Sequence, residues 1–183
     1  LERVNSGNEL IEAVKDNKSS KCGALMRAVP IGLIPYYDQM HDYALQQALL
    51  THNKKASEFA TEIAGIAYAL YHLRRPKRLL GGYTITNYEW EVEKTSESYD
   101  VAKAAFICFM NNNKMSEILK QAISFGGDTD SIAAVACGWG SLSVEVENDL
   151  PQNLYDNLEN GKYGLNFLKE LDQKLFDRFP RRY

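Results

Sequence analysis

An all-α fold is what the sequence predicts, and three observations carry the expectation. Residues 54–72 hold an apolar stripe at helical spacing for about five turns, through Ala56, Phe59, Ala60, Ile63, Ala64, Ala67, Leu70 and Tyr71. Small residues crowd segments such as 133–140, which suits helices that approach one another closely. Near-alternation of the kind a strand needs occurs only at 83–98. The chain has 183 residues, 45% hydrophobic and 25% charged, which is the length and composition of a single globular domain over 1–183 with its own core.

Taken in order, Leu10, Ile11 and Val14 share one face of a helix over 8–17. A short small-residue helix over 23–29 stops at Pro30, and Gly32 and Pro35 force a bend soon after. Residues 42–50 group Ala44, Leu45, Ala48 and Leu49; the long helix of 54–72 ends at Arg75-Pro76. In 83–98, Tyr83, Ile85, Tyr88, Trp90 and Val92 come close to alternation, giving a loop with some strand character. Its Glu89, Glu91, Glu93 and Glu97 read as a solvated face. Arg74, Arg75, Lys77 and Arg78 before it read as surface charge rather than a phosphate patch.

Helix returns over 100–110 with Val101, Ala104, Ala105 and Ile107 apolar, and Asn111-Asn112-Asn113 breaks it. Ser116 is expected to cap the next helix, which carries Ile118, Leu119, Ala122 and Ile123 and stops at Gly126-Gly127. Asp128-Thr129-Asp130-Ser131 opens another, from Ile132 to about Leu142, in which Gly138 and Gly140 permit close packing. Two more are expected: one between Leu150-Pro151 and Asn160-Gly161, and one over 165–179 with Phe167, Leu168, Leu171, Leu175 and Phe176 apolar.

Composition also excludes function classes. No apolar run nears the roughly 20 residues of a membrane helix, and the first seven residues hold no apolar signal core, so no membrane is expected. A net charge of −3 removes the electrostatic case for nucleic acid. Cys22, Cys108 and Cys137 lie in apolar surroundings without C-x-x-C spacing, which reads as reduced thiols of a cytoplasmic protein. Leu1 rather than Met opens the chain in globular-looking sequence, as in a piece of a longer protein.

Gly126-Gly127-Asp128-Thr129-Asp130-Ser131 is the constellation that looks chemical. Two glycines allow a tight turn with positive φ, and two carboxylates with nearby hydroxyls gather hard oxygens whose mutual repulsion a divalent cation would remove. Oxygen donors without His or Cys point to Mg²⁺, Mn²⁺ or Ca²⁺ rather than zinc. On pattern alone the same residues better suit a helix end followed by an Asp cap on the next helix. His41, His52 and His72 lack the spacing of a zinc pair; His52, after Thr51 between two helices, is either structural or faces a cleft. No G-x-S-x-G elbow, P-loop or dinucleotide fingerprint is present.

Residues 23–32 (Gly-Ala-Leu-Met-Arg-Ala-Val-Pro-Ile-Gly), Thr51-His52, Tyr99-Asp100-Val101, the block from Gly126 to Ala134, and Leu150-Pro151 resemble the ADP-ribosylglycohydrolase family in order and spacing. That family includes hydrolases that remove ADP-ribose from arginine or serine, and related lens crystallins. The resemblance implies an orthogonal multi-helix bundle with two Mg²⁺ or Mn²⁺ ions at its centre. It implies that Asp128, Asp130 and Ser131 are metal ligands, with Asp128 and Asp130 the catalytic acids. It also implies that Ser19, Ser20 and Gly23 cradle the ADP-ribose diphosphate and that His52 approaches the ligand. The partner would be ADP-ribose or an ADP-ribosylated protein, the bond cleaved an N- or O-glycosidic one.

The chain departs from the family pattern in three places. The family's [ST]-D-D-[ST] run and its G-D-x-x-G element do not occur in it; Lys21-Cys22 stands where the phosphate loop usually reads Gly-Asn; Cys137 and Ser141 replace usual glycines. The expectation is therefore the C-terminal two-thirds of a family-type catalytic domain, inactive alone, with its N-terminal part missing or supplied by a complementing chain. The alternative is a degenerate, non-enzymatic member that binds ADP-ribose or serves a structural role.

Overall fold

The computed structural model describes residues 6–14, 16–86 and 96–181. Nine α-helices occur among them: α1 (Gly7–Val14), α2 (Gly23–Met26), α3 (Tyr37–Leu49), α4 (Lys54–Tyr71), α5 (Ser98–Asn111), α6 (Met115–Phe125), α7 (Thr129–Leu142), α8 (Gln152–Asp156) and α9 (Leu165–Arg178). Short 3-10 turns cover Val29–Leu33, Lys77–Leu79 and Thr84–Thr86. Pairing of β type among the described residues is limited to two isolated bridges, Lys21 with Glu97 and Lys114 with Glu147. The fold is all-α, as expected. No described helix is long and apolar enough to cross a membrane.

Helix α4 is the axis of the packing. Asn53 caps it, its side chain accepting from the Ala56 N–H at 2.9 Å. The stripe read from the sequence becomes a buried ridge in which Ala60, Ile63, Ala64, Ile66 and Ala67 are all inaccessible. Against this ridge lie α2, α3, α5, α7 and the turn Val29–Leu33. Trp139 of α7 is fully buried edge-on to Phe106 of α5, and its indole N–H donates to the Ile63 carbonyl at 3.1 Å. Buried Trp is stable only where that N–H finds such a partner. On the other flank of α7, Gly138 faces Val29 and Gly140 faces Ile118 and Met115, leaving no room for a larger residue without adjustment.

Several expectations need correction. The helix predicted over 23–29 ends at Met26, because Pro30 sits in the first turn of a separate 3-10 segment rather than after a helix. Helix α3 begins at Tyr37, just past Pro35, rather than at 42. Ser116 does not cap α6. Lys114 holds the cap position, and Ser116 instead donates its N–H and O–H to the Asp149 carboxylate at 2.8 and 2.7 Å. Lys77 is not surface charge: it is 6% exposed, its ammonium bonded to the Asn112 carbonyl and Asn113 Oδ1 and set 4.7 Å over the Phe109 ring. Helix α8 ends at Asp156, short of Asn160-Gly161. In α9 the predicted stripe forms, yet none of its residues is buried. The near-alternating residues Tyr88, Trp90 and Val92, with Glu89, Glu91 and Glu93, lie outside the described residues.

Candidate functional site

The turn between α6 and α7 is built by its glycines. Gly126 and Gly127 take φ of 71° and 69°, a left-handed conformation that costs an L side chain about 1–2 kcal/mol per residue. Two such residues in succession reverse the chain so sharply that α7 starts at Thr129, and the Asp-Thr-Asp-Ser run is presented on its first turn. Asp128 occupies the cap position, but its side chain makes no capping hydrogen bond. Its Oδ2 lies 2.7 Å from the Cys22 thiol, and the Asp130 carboxyl is within hydrogen-bonding reach of it. Ser131 is buried; its Oγ is 3.4 Å from Cys22 Sγ and donates to Met26 Sδ at 3.4 Å.

Burial alone would raise the Asp128 pKa. Hydrogen bonds from Cys22 and Ser131 help outweigh it and hold the carboxyl below its usual value. Burial, then the hydrogen bond to Asp128, push the Cys22 thiol up to about 11. At neutral pH the contact is therefore a thiol S–H donating to an ionised carboxylate.

Residues 19–23 form the wall beside this turn. The Ser19 carbonyl accepts from Asn53 N–H at 2.8 Å, and the Ser20 carbonyl from Ser98 N–H at 2.9 Å, so the loop is pinned between the α3–α4 turn and the start of α5. Lys21 pairs with Glu97 at 2.6 Å on the exposed rim. Gly23 faces the His52 ring, and a Cβ there would lie 3.4 Å from both Cε1 and Nε2. His52 is buried, with Nδ1 2.7 Å from Thr51 Oγ1, which in turn accepts from the Arg27 guanidinium at 2.8 Å. The Arg27–Thr51–His52 chain of contacts thereby fixes the orientation of the imidazole, with Nε2 beside Gly23. Burial, and then the Arg27 charge, lower the His52 pKa and keep the ring neutral.

The predicted residues are thus brought near one another: Cys22 touches Asp128 and Ser131, while its neighbour Gly23 faces His52. A cavity of about 370 Å³ lies elsewhere, on the outer side of α3 and α4, lined by Tyr37, His41, Lys54, Glu58 and Tyr83 among others, and none of the predicted site residues lines it.

The family model for ADP-ribosylglycohydrolase matches residues 1–183. The chain belongs to that family. An Archaeoglobus fulgidus relative, described only as an uncharacterized protein, is 27% identical over 190 residues, an alignment covering 89% of this chain and 60% of that protein. The chain therefore spans about 60% of the length of the curated relative it matches.

In this family member, Asp128, Asp130 and Ser131 place two carboxyls and a hydroxyl in one small volume. That donor chemistry fits one flank of a hard divalent cation, whose sphere takes about six oxygens. Among the described residues no group of three or more His, Cys, Asp or Glu side chains is disposed to hold a metal ion. Sequence reasoning missed Cys22 as the partner of Asp128, and Arg27 as the group behind Thr51 and His52. The available signal was position: Arg27 lies inside the resembling block and Cys22 immediately before it.

Proposed function

We propose that this chain carries one half of the divalent-cation site, and the ligand cradle, of a hydrolase that releases ADP-ribose from modified protein side chains. The observation that supports it most is the Asp128–Asp130 pair. Both carboxyls stand together on a diglycine turn, against the loop whose Gly23 faces His52. In this reading Asp128, Asp130 and Ser131 hold Mg²⁺ or Mn²⁺, Ser19, Ser20 and Gly23 lie along the diphosphate, and His52 presents Nε2 to the ligand. A divalent ion bound there supplies positive charge that favours ionised oxygen at the anomeric carbon of the ribose. The chain's own residues do the rest: Gly23 allows close approach of a phosphate, Arg27 holds the His52 ring in place through Thr51, and Asp128 stays ionised to orient oxygen ligands.

Because the described residues supply only part of a coordination sphere, the 183-residue polypeptide is expected to release no ADP-ribose from ADP-ribosyl-arginine or ADP-ribosyl-serine peptides with Mg²⁺. It is expected to bind ADP-ribose in isothermal titration, more tightly with Mg²⁺, and the metal-dependent part should vanish in Asp128→Asn. Measurable hydrolysis would overturn the half-site assignment, and no heat of ADP-ribose binding with or without metal would overturn the reading as a whole.

The Cys22–Asp128 contact favours a second reading, that of a family member retaining an ADP-ribose-binding or structural role without hydrolysis. A [ST]-D-D-[ST] run upstream in the parent reading frame, or on a co-purifying chain, would decide for the enzyme.

A further inference from the structure

We propose that the outer face of α4 is a docking trough for the extended polypeptide of the modified protein, with Arg75 at its far end selecting an acidic residue. The inference rests on the reading of this chain as part of a hydrolase acting on ADP-ribosylated side chains, and it names the polypeptide such a substrate brings.

Helical spacing makes the trough continuous. The cavity of about 370 Å³ is lined on α4 by Lys54, Glu58, Thr61 and Glu62. A second cavity, of about 400 Å³, is lined on the same helix by Gly65, Tyr68 and Ala69. These positions recur every three or four residues, so they form one stripe along one face of α4. Tyr37 and Tyr83 belong to the walls of both cavities. From Lys54 to Ala69 the stripe runs about 22 Å, the reach of about six or seven extended residues. Its near end, Lys54, stands two positions beyond His52. A polypeptide whose modified side chain lies at His52 therefore has a path along the helix.

The walls are aromatic and held in place. Tyr83 lies against Gly65, where a Cβ would come 3.2 Å from the ring, so a bare helix position seats the phenol. The Thr84 and Ile85 N–H groups that follow donate to the Glu62 carboxylate at 3.0 and 3.1 Å, anchoring that wall to α4. Opposite, Tyr37 stands edge-on to Tyr68 at 5.6 Å and is 50% exposed. The trough is thus open along its length rather than closed around a small ligand. Ring-lined grooves of this kind take the proline and aromatic side chains of extended peptides. Charge gives the trough a direction. Lys54 and Glu58 offset each other at 4.0 Å, whereas no carboxylate pairs with Arg75 among the described residues. A left-handed turn at Arg74, with φ of 48°, sets Arg75 at the far end, where its N–H donates to the Ala69 carbonyl at 3.0 Å. Its charge reaches the Tyr83 phenol, lowering a pKa that burial and then Tyr37 raise. An acidic side chain at that end completes the pair.

The test is isothermal titration of the 183-residue chain, without metal, with free ADP-ribose and with two ADP-ribosyl-arginine peptides. In each peptide about six residues, among them prolines, a tyrosine and an Asp at the far end, follow or precede the modified arginine. One of the two is expected to bind about tenfold more tightly than ADP-ribose. Exchanging its Asp for Lys should remove that advantage in the wild type. Tyr37→Ser and Arg75→Glu, checked for folding by circular dichroism, should also remove it and leave ADP-ribose binding unchanged. The Lys peptide should regain the advantage on Arg75→Glu, which a merely structural arginine would not allow. Equal wild-type affinities for ADP-ribose and both peptides overturn the proposal alone, as does an advantage indifferent to the Asp exchange. So does sedimentation showing that Tyr37→Ser dissolves a dimer, which gives the trough to a second copy. If neither ADP-ribose nor a peptide binds, the functional reading fails and the proposal falls with it.

Discussion

At His52 two causes act in the same direction: the ring is 7% exposed, and Arg27 brings a positive charge to its hydrogen-bond partner Thr51. Both disfavour the imidazolium, burial more than Arg27, so the folded pKa lies below 6.5. The sign for stability follows. A group with a depressed folded pKa contributes stability that is present above the unfolded pKa and is lost as pH falls through the folded value. The ring-proton NMR titration of His52 is expected to have its midpoint below 6.5 in the wild type. In Arg27→Gln it should move up without reaching 6.5, since burial remains. A midpoint unmoved by the substitution would show that Arg27 does not reach the ring electrostatically. Little of this was legible in the sequence, where His52 was one polar residue between two helices. The diglycine turn and its acids were legible, because φ preference and carboxylate chemistry are local. The partner of Asp128 was not, since Cys22 lies 106 positions away and a thiol in apolar sequence carries no mark of the carboxylate it meets.

Between elements, the turn Val29–Leu33 approaches α4 closely at Gly32. A Cβ on Gly32 would lie 2.5 Å from Ala67 Cβ, 2.7 Å from the Ala64 carbonyl oxygen and 2.8 Å from the Tyr68 nitrogen. Two of these neighbours are helix backbone, which cannot swing aside as a side chain can. Gly32→Ala is therefore expected to push the turn off α4 at a cost of about 1–3 kcal/mol, read as a lower urea midpoint at unchanged slope. A midpoint equal to wild type would mean that the turn shifts freely. The sequence announced Gly32 only as a bend, because nothing in a 3.6 period shows what packs across a helix. It announced α4 and α9 nearly to the residue for the complementary reason: a long apolar stripe is a local signal. The stripe says that a face is apolar, not that something covers it, and in α9 Leu168 is 51% exposed and Leu171 42%. Lys77 was misread for a related reason. A lysine among arginines carries no sign that its stem will cross Phe109 to reach the Asn112 carbonyl.

Over the whole molecule, the candidate site is where segments distant in sequence are joined. The loop 19–23 is tied to the α3–α4 turn through Asn53 and to α5 through Ser98, and Cys22 and Met26 meet the start of α7 through Asp128 and Ser131. Folding fixes the Asp128–Ser131 turn against Cys22 and Met26, so a cation held by Asp128 and Asp130 binds the folded chain more tightly than the unfolded one. Linkage then converts occupancy into stability: at a hundredfold excess over Kd the gain is about 2.7 kcal/mol. For a chain of this size each kcal/mol moves Tm by about 2–4 °C. Saturating Mn²⁺ is thus expected to raise the melting temperature of the wild type by about 5–10 °C, with EDTA reversing the rise. Asp128→Asn is expected to show no rise, while a neutral substitution on the exposed face of α9, such as Lys169→Gln, keeps it in full. An equal rise in wild type and Asp128→Asn would place the stabilising cation elsewhere on the surface, and the carboxyl pair would then be a feature of the turn alone.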